Sequence, residues 1–220
     1  MIRTLKDFSV KNINKELIDM TSLVEKQIYD SMIALKKLDI NKAEEVIKND
    51  DIIDNMQKEI EEDCIKFIAT EQPLAKDLRR VFTASKIVTD LERMADYAVD
   101  ICKITKRVDR NLNVFNEEIE EIFNMEMKIR SMLKNSIEAH IKRDIDTAYK
   151  ICEEDDKIDM MYRSLFESII KKITENQELI NNGTQLLFVI KYLERLADHI
   201  TNISEWTVFA KKGVYVDLNE

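Results

Sequence analysis

Apolar residues recur along the chain with the spacing of helical faces. Leu91, Ala95, Ala98 and Cys102 stand at positions i, i+4, i+7 and i+11. Side chains at these intervals share one face of an α-helix, so this stripe is expected to face a core. The same periodicity predicts six long helices, over residues 14–38, 41–70, 73–105, 116–141, 144–179 and 183–210.

The connections between these helices are short, which determines how the helices are arranged. The sequence holds only two Gly and one Pro, residues that helix interiors exclude. Pro73 is predicted at the first position of the third helix, where its missing N–H leaves no hydrogen bond unmade. Helices joined by short connections run antiparallel, so each run of three is expected to close into a bundle. The predicted fold class is all-α, with six long antiparallel helices in two tandem three-helix bundles.

Two segments of the first half recur in the second half at nearly the same interval. Asp-Ile-Ile-Asp at 51–54 matches Asp-Lys-Ile-Asp at 156–159. Leu-Glu-Arg-Met-Ala-Asp at 91–96 matches Leu-Glu-Arg-Leu-Ala-Asp at 193–198. Self-similarity at a fixed interval indicates a duplicated structural unit. We therefore predict two three-helix repeats, joined through the polar segment 107–113, with the domains 1–108 and 109–220.

The overall charge narrows the range of partners. The formal net charge is -9 and the isoelectric point is near 5.0. Nucleic acids and anionic membrane surfaces bind proteins through clustered Lys and Arg. Because this chain is acidic, we expect no direct nucleic-acid binding. No apolar run reaches the roughly 18 residues that a membrane-spanning helix needs, so no membrane insertion is expected. A polar start at 1–10 and cysteines without CxxC spacing, at Cys64, Cys102 and Cys152, predict a cytoplasmic protein.

Acidic side chains form ladders beside the apolar stripe. Glu92, Asp96 and Asp100 follow one another at four-residue intervals, and this series begins one position after Leu91, the first residue of the apolar stripe. One position corresponds to about 100° around the helix axis, so these carboxylates border the buried face and a neighbouring helix can reach them. In the sixth helix Glu194 and Asp198 repeat this spacing, and the third position is Asn202, a neutral amide.

The second and fifth helices carry matching groups of acids. Like charges one turn apart destabilise a helix by a few tenths of a kcal/mol, unless a cation or an Arg neutralises them. Pairs that converge from adjacent helices supply four to six oxygens, a set suited to Mg, Ca, Mn or carboxylate-bridged iron. The alternative is a solvated acidic face, with Arg93 and Arg195 as partners within their own helices. The acids are Asp50, Asp51 and Asp54 in the second helix and Asp155, Asp156 and Asp159 in the fifth.

No catalytic constellation stands out in the sequence. A ferritin-type di-iron enzyme needs Glu-x-x-His on facing helices, and neither His140 nor His199 follows a glutamate at that spacing. Gly183 and Gly213 are isolated, so no Gly-rich phosphate loop is present. We predict a protein without enzyme activity. A carboxylate-bridged metalloenzyme is the alternative from another class.

Three segments resemble signatures of the PhoU family. They are Gln-Pro-Leu-Ala-Lys-Asp-Leu-Arg-Arg at 72–80, Asp-Leu-Glu-Arg-Met-Ala-Asp at 90–96 and Tyr-Leu-Glu-Arg-Leu-Ala-Asp-His at 192–199. The resemblance covers nearly the whole chain in the right order. Family members often carry Ile-Gly before the second acid, where this chain has Met-Ala at 94–95 and Leu-Ala at 196–197. Helix-favouring Ala in place of Gly is not expected to disturb the site.

The resemblance implies a function as well as a fold. It implies two tandem three-helix bundles that assemble as a homodimer. It implies a negative regulator of phosphate uptake and of phosphate-starvation signalling, which binds the ATPase subunit of the ABC-type phosphate transporter and the phosphate-sensing histidine kinase. The alternative is an accessory protein of a low-affinity sodium- or proton-coupled phosphate carrier, since PhoU-like bundles also serve there.

The resemblance also implies metal sites. Some family members hold multinuclear iron or other metal clusters through paired Glu/Asp-x-x-x-Asp motifs, one cluster in each repeat. For this chain we expect iron or another divalent metal (Mg, Mn, Ca or Zn). Because Asn202 stands where the first repeat has Asp100, the two sites are not expected to be equivalent. The predicted ligands are Asp50, Asp51, Asp54, Glu92, Asp96 and Asp100 in the first repeat and Asp155, Asp156, Asp159, Glu194 and Asp198 in the second.

Overall fold

Six helices account for most of the fold. The computed structural model describes residues 2–109 and 112–218, with side chains described from Val10 onward. No strand occurs in this part of the chain, so the predicted all-α class is confirmed. No helix there is long and apolar enough to cross a membrane. The helices are α1 Ile2–Lys37, α2 Ile40–Glu71, α3 Ala75–Thr105, α4 Asn116–Lys142, α5 Ile145–Glu175 and α6 Ile180–Lys212, with 3₁₀ turns at Asn113–Phe115 and Gln177–Leu179.

The first helix begins at Ile2, so the predicted start at residue 14 was wrong. Val10 and Ile13 are buried and continue the stripe of Leu17. Apolar residues that pack on neighbouring helices hold this segment in the helical conformation. The periodicity was hard to detect there because polar residues separate the few buried positions.

The third helix begins at Ala75, two residues after Pro73, so the prediction that Pro73 opens it was wrong. The residue before a proline is disfavoured in the α conformation, and Gln72 adopts the left-handed region with φ 44°. Leu74 is extended, and its carbonyl accepts hydrogen bonds of 2.9 Å from two amides of the first turn. Pro73 therefore lies in the connection rather than in the helix.

The fifth helix ends at Glu175 rather than at residue 179. Asn176 leaves the helical region, and its side chain accepts a hydrogen bond of 3.0 Å from the amide of Glu178. Helix α6 then begins before Gly183, which packs so closely on Ile173 that an added Cβ would lie 2.5 Å from that side chain. The bend at Asn176 and this close contact bring α6 back along α5.

The two repeats share the same helix caps. Asp39 Oδ1 accepts a hydrogen bond of 3.0 Å from the amide of Lys42 at the start of α2. Asp144 Oδ1 accepts one of 3.2 Å from the amide of Thr147 at the start of α5. Each cap satisfies an amide that the first helical turn leaves unpaired.

We expect Asp39→Ala and Asp144→Ala each to lower the free energy of unfolding by about 1 kcal/mol, the usual loss when an N-cap is removed. Urea unfolding of each variant measures the change. Glu154→Ala is the matched control, because Glu154 is an exposed acid inside α5 and caps nothing. A cap variant that loses no more stability than this control would contradict the expectation.

The six helices form two bundles that lie side by side. Helices α1, α2 and α3 pack together, as do α4, α5 and α6. Between the bundles, α3 packs on α6 and α1 on α4. The two tandem three-helix bundles are therefore confirmed. Buried apolar side chains of both bundles belong to one cluster, and the division at residue 108 stays a prediction.

Polar and aromatic contacts join α3 to α6 across the boundary between the bundles. The buried Asp90 Oδ1 lies 2.8 Å from Nδ1 of His199 and accepts a hydrogen bond of 3.2 Å from Nδ2 of Asn202. Nearby, the rings of Tyr97 and Tyr192 stack with centroids 5.6 Å apart. These contacts fix the two helices relative to each other beside the predicted ligands.

Candidate metal centre

Four carboxylates of the first bundle lie where α2 packs against α3. Asp50 and Asp54 stand one turn apart on α2, and Glu92 and Asp96 stand one turn apart on α3. All four are half-buried. Gln27 of α1 donates from Nε2 to Asp50 Oδ1 at 2.8 Å and so holds one of them in place. We call these four residues the first acidic cluster.

The charges of the first acidic cluster act on one another. Burial raises the pKa of Asp50, and the negative charges of Asp54 and Asp96 raise it further, against the hydrogen bond from Gln27. Burial also raises the pKa of Glu92, together with the charges of Asp96, Asp54 and Asp50. The acids of α2 and the acids of α3 therefore repel each other electrostatically, so the two pairs lie close together at the contact between these helices. Repulsion of this kind favours a bound cation.

The second bundle repeats the arrangement. Asp155 and Asp159 on α5 and Glu194 and Asp198 on α6 are half-buried and form the second acidic cluster. Burial raises the pKa of Asp155 to about 7, and the charges of Asp198, Asp159 and Glu194 add to the increase. Burial and the charge of Glu194 likewise raise the pKa of Asp198. A carboxyl with a pKa near 7 is half protonated at neutral pH, so a cation binding there has to displace a proton.

Basic side chains already pair with part of each cluster. Arg93 Nη1 donates to Asp96 Oδ2 at 3.1 Å, as the intrahelical alternative predicted. Lys191 Nζ donates to both oxygens of Glu194, at 2.7 and 2.5 Å. Arg195 instead lies over the ring of a tyrosine on α3. A bound cation has to compete with the ion pairs of Arg93 and Lys191.

Three of the predicted ligands lie outside the two clusters. Asp51 and Asp156 are exposed, each one position away from the half-buried acids of its helix. Asp100 accepts a hydrogen bond of 2.8 Å from Lys103 and lines a cavity between α3 and α6. Its counterpart Asn202 is bonded across the bundle boundary instead. The two acidic clusters therefore contain the other predicted ligands, and these three lie outside them.

The donor set indicates which ion the clusters suit. Carboxylate oxygens suit hard cations such as Mg, Ca and Mn, and iron ions that carboxylates bridge. Zn more often takes imidazole and thiolate ligands. Within residues 2–109 and 112–218, no three His, Cys, Asp or Glu side chains stand together as a metal site in their present conformations. The donor chemistry therefore fits a hard cation, and the acids have to turn toward it to bind.

The two bundles correspond to a known domain. The PhoU domain matches residues 17–105 and again 122–207. The chain belongs to the PhoU family. A Clostridium acetobutylicum protein named phosphate-specific transport system accessory protein PhoU homolog is 47% identical and covers 100% of both chains. The protein of the same name from Borreliella burgdorferi is 33% identical over 99% of this chain and 100% of its own.

Crystal structures of PhoU proteins have the same architecture. The phosphate transport system regulatory protein PhoU from Streptococcus pneumoniae superposes with a TM-score of 0.89 at 32% identity, covering 96% of this chain and 99% of its own. PhoU from Pseudomonas aeruginosa gives a TM-score of 0.84 at 27% identity, covering 94% and 99%. The PhoU fold therefore extends over both bundles.

Two residues that contact the acidic clusters were not predicted from the sequence of this PhoU-family chain. Gln27 comes from α1 and reaches Asp50 only because α1 packs beside α2. Lys191 precedes Glu194 by one turn, a spacing typical of ion pairs, but the first repeat has Thr89 there. The repeat therefore gave no second example from which Lys191 could be recognised.

Proposed function

We propose that the protein is a negative regulator of phosphate uptake and of phosphate-starvation signalling. It acts by binding the ATPase subunit of the ABC-type phosphate transporter and the phosphate-sensing histidine kinase, as a cytoplasmic homodimer without enzyme activity. One observation carries the proposal: the 47% identity to the accessory-protein homologue extends through the full length of both chains. A match that leaves out neither bundle supports a shared role more strongly than a shared fold does.

Exposed apolar side chains at the start of α3 support action through protein partners. Leu74 lies just before the first residue of α3, Leu78 and Phe82 follow it at four-residue intervals within the helix, and Leu74 is 79% exposed. Lys86 lies over the ring of Phe82, with Nζ 5.6 Å from its centroid. Apolar side chains at i, i+4 and i+8 form a face that a groove or a second helix can cover. Such a stripe fits a binding protein that recognises a partner along a helix.

The acidic clusters give the proposed regulator two cation sites. In the first cluster Asp50 and Asp54 come from α2, and Glu92 and Asp96 come from α3, so a shared cation joins two helices. When bound, iron or another divalent metal (Mg, Mn, Ca or Zn) supplies positive charge between these carboxylates. Relief of their repulsion favours close packing of the helices, and partner affinity then depends on the cation. We propose the same for the second cluster on α5 and α6.

Deletion of the gene for this protein is expected to raise phosphate uptake at high external phosphate and to leave phosphate-starvation genes expressed. Expression of the chain restores repression, and a Leu74→Glu/Leu78→Glu variant does not, because charge on the stripe prevents docking. Ile65→Glu is the matched control, since Ile65 is 66% exposed on α2. Uptake of labelled phosphate and copurification with the ATPase subunit provide the measurements. Unchanged uptake after deletion, with copurification of a sodium- or proton-coupled carrier, would contradict the proposal.

A further inference from the structure

A cavity opens between the C-terminal part of α3 and the first half of α6, where the two bundles meet. Its volume is about 300 Å³, at the lower end of the range for small-molecule sites. Of the predicted metal ligands, only Asp100 borders it. The lining residues are Asp100, Lys103, Ile104, Arg107, Gln185, Phe188 and Tyr192.

Aromatic rings form one wall of this cavity. Phe188 stacks on Tyr192 with ring centroids 6.4 Å apart and an interplanar angle of 27°. Tyr192 stacks in turn on Tyr97, which fixes its orientation. Phe188 is 50% exposed although it is a large apolar side chain. A wall of this kind offers a face on which a planar ring can stack.

Two cations stand one turn apart on the opposite wall. Lys103 is held by Asp100, through the hydrogen bond of 2.8 Å. The exposed guanidinium of Arg107 forms no hydrogen bond or ion pair with any residue that the structure describes. Ammonium and guanidinium groups so placed suit a phosphate group, and the guanidinium can donate to two phosphate oxygens at once.

The third feature is a hydrogen-bond acceptor without a donor. Gln185 Oε1 is buried and has no partner among the described residues. A glutamine amide matches the edge of adenine, because its oxygen accepts from N6 while its nitrogen donates to N7. Guanine presents acceptors at both O6 and N7 and leaves the glutamine oxygen unpaired.

We propose that this cavity binds an adenine mononucleotide. The base stacks on the wall of Phe188 and Tyr192, the amide of Gln185 pairs with the adenine edge, and the phosphate binds Lys103 and Arg107. The ligand touches α3 of one bundle and α6 of the other, so it reports on their relative position. The site goes beyond the proposed regulatory function and does not depend on it.

Isothermal titration of the full-length protein with AMP tests the proposal. We expect a dissociation constant in the micromolar range, with GMP, adenosine and inorganic phosphate each at least about tenfold weaker. Arg107→Ala is expected to weaken AMP binding about tenfold by removing a phosphate contact. Gln185→Leu is expected to weaken AMP binding and to abolish the preference over GMP, while circular dichroism shows that the variants remain folded.

Matched controls come from α5. Lys150→Ala removes an exposed cation and Phe166→Ala an exposed aromatic side chain that lies outside the cavity, so both are expected to bind AMP as the unaltered protein does. Absence of AMP binding at millimolar concentration, equal binding of inorganic phosphate, or equal affinity in Arg107→Ala would overturn the proposal. None of these results affects phosphate uptake, so the regulatory function is judged separately.

Discussion

Saturating Mn²⁺ is expected to raise the free energy of unfolding by about 2.7 kcal/mol for each occupied cluster, at a hundredfold excess over its dissociation constant. The proposed cation sites bring carboxylates of two helices together in the native state, and unfolding separates these carboxylates, so we expect the cation to bind only the native state. Glu92→Gln with Glu194→Gln removes one carboxylate from each cluster and is expected to abolish most of the gain. Urea unfolding with and without Mn²⁺ measures both effects.

Glu92→Gln alone is expected to have the opposite effect on stability when Mn²⁺ is absent. Burial and neighbouring charges raise the pKa of Glu92, so a neutral amide there relieves repulsion and stabilises the metal-free protein by a few tenths of a kcal/mol. Misfolding cannot explain a variant whose free energy of unfolding is higher than that of the unaltered protein without Mn²⁺ and does not change when Mn²⁺ is added. Asp51→Asn and Asp156→Asn are the controls, because these exposed acids lie outside the clusters. Equal stabilisation of the Glu→Gln variant and the unaltered protein would refute the cation sites.

The pH dependence of stability and of Mn²⁺ binding tests the second acidic cluster specifically, because it depends on the raised pKa of Asp155. The pKa of Asp155 is about 7 in the native protein, above the ordinary value of 3.8 that the unfolded chain keeps. The metal-free native state thus binds more protons, and its stability increases as the pH falls from 7 toward 4. Mn²⁺ has to displace that proton, so its affinity for this cluster should be about tenfold weaker at pH 6 than at pH 8.

Arg130→Ala is expected to lower the free energy of unfolding by about 3 kcal/mol. Arg130 on α4 hydrogen-bonds Glu126, whose side chain is only 1% exposed. It also pairs with Glu25 of α1 at 3.4 Å and lies 5.0 Å from the ring centroid of Tyr29. Without the guanidinium, the Glu126 carboxylate remains buried and unpaired where the two bundles meet. Chemical unfolding at pH 7 measures the loss.

Two further results distinguish a buried charge from lost packing. Burial raises the pKa of Glu126 even with Arg130 present, so the native state takes up a proton as the pH falls. The deficit of Arg130→Ala should therefore shrink from pH 7 to pH 5, and Glu126→Gln added to it should recover part of the stability. Lys142→Ala is the control, since its pair with Glu138 on the same helix is exposed and contributes little. A deficit equal to that of the control, or independent of pH, would count against this account.

Local patterns predicted most of the fold. Helices α2 to α6 follow the predicted segments closely because apolar side chains mark their buried faces turn after turn. The start of α1 was missed because Val10 and Ile13 stand among polar residues, and their burial depends on neighbouring helices. The start of α3 depended on the backbone around Pro73, which periodicity does not report.

The duplication and the spacing of the acids can be read from the sequence alone, because residues four apart lie on the same side of any α-helix. Tertiary structure decided which acids meet. Asp51 differs from Asp50 by one position, about 100° around the axis, and the packing of α1 and α3 on α2 makes one exposed and the other half-buried. Contacts such as Gln27 to Asp50 or Arg130 to Glu25 join different helices. No local spacing encodes them, because each depends on how two helices are rotated and shifted against each other.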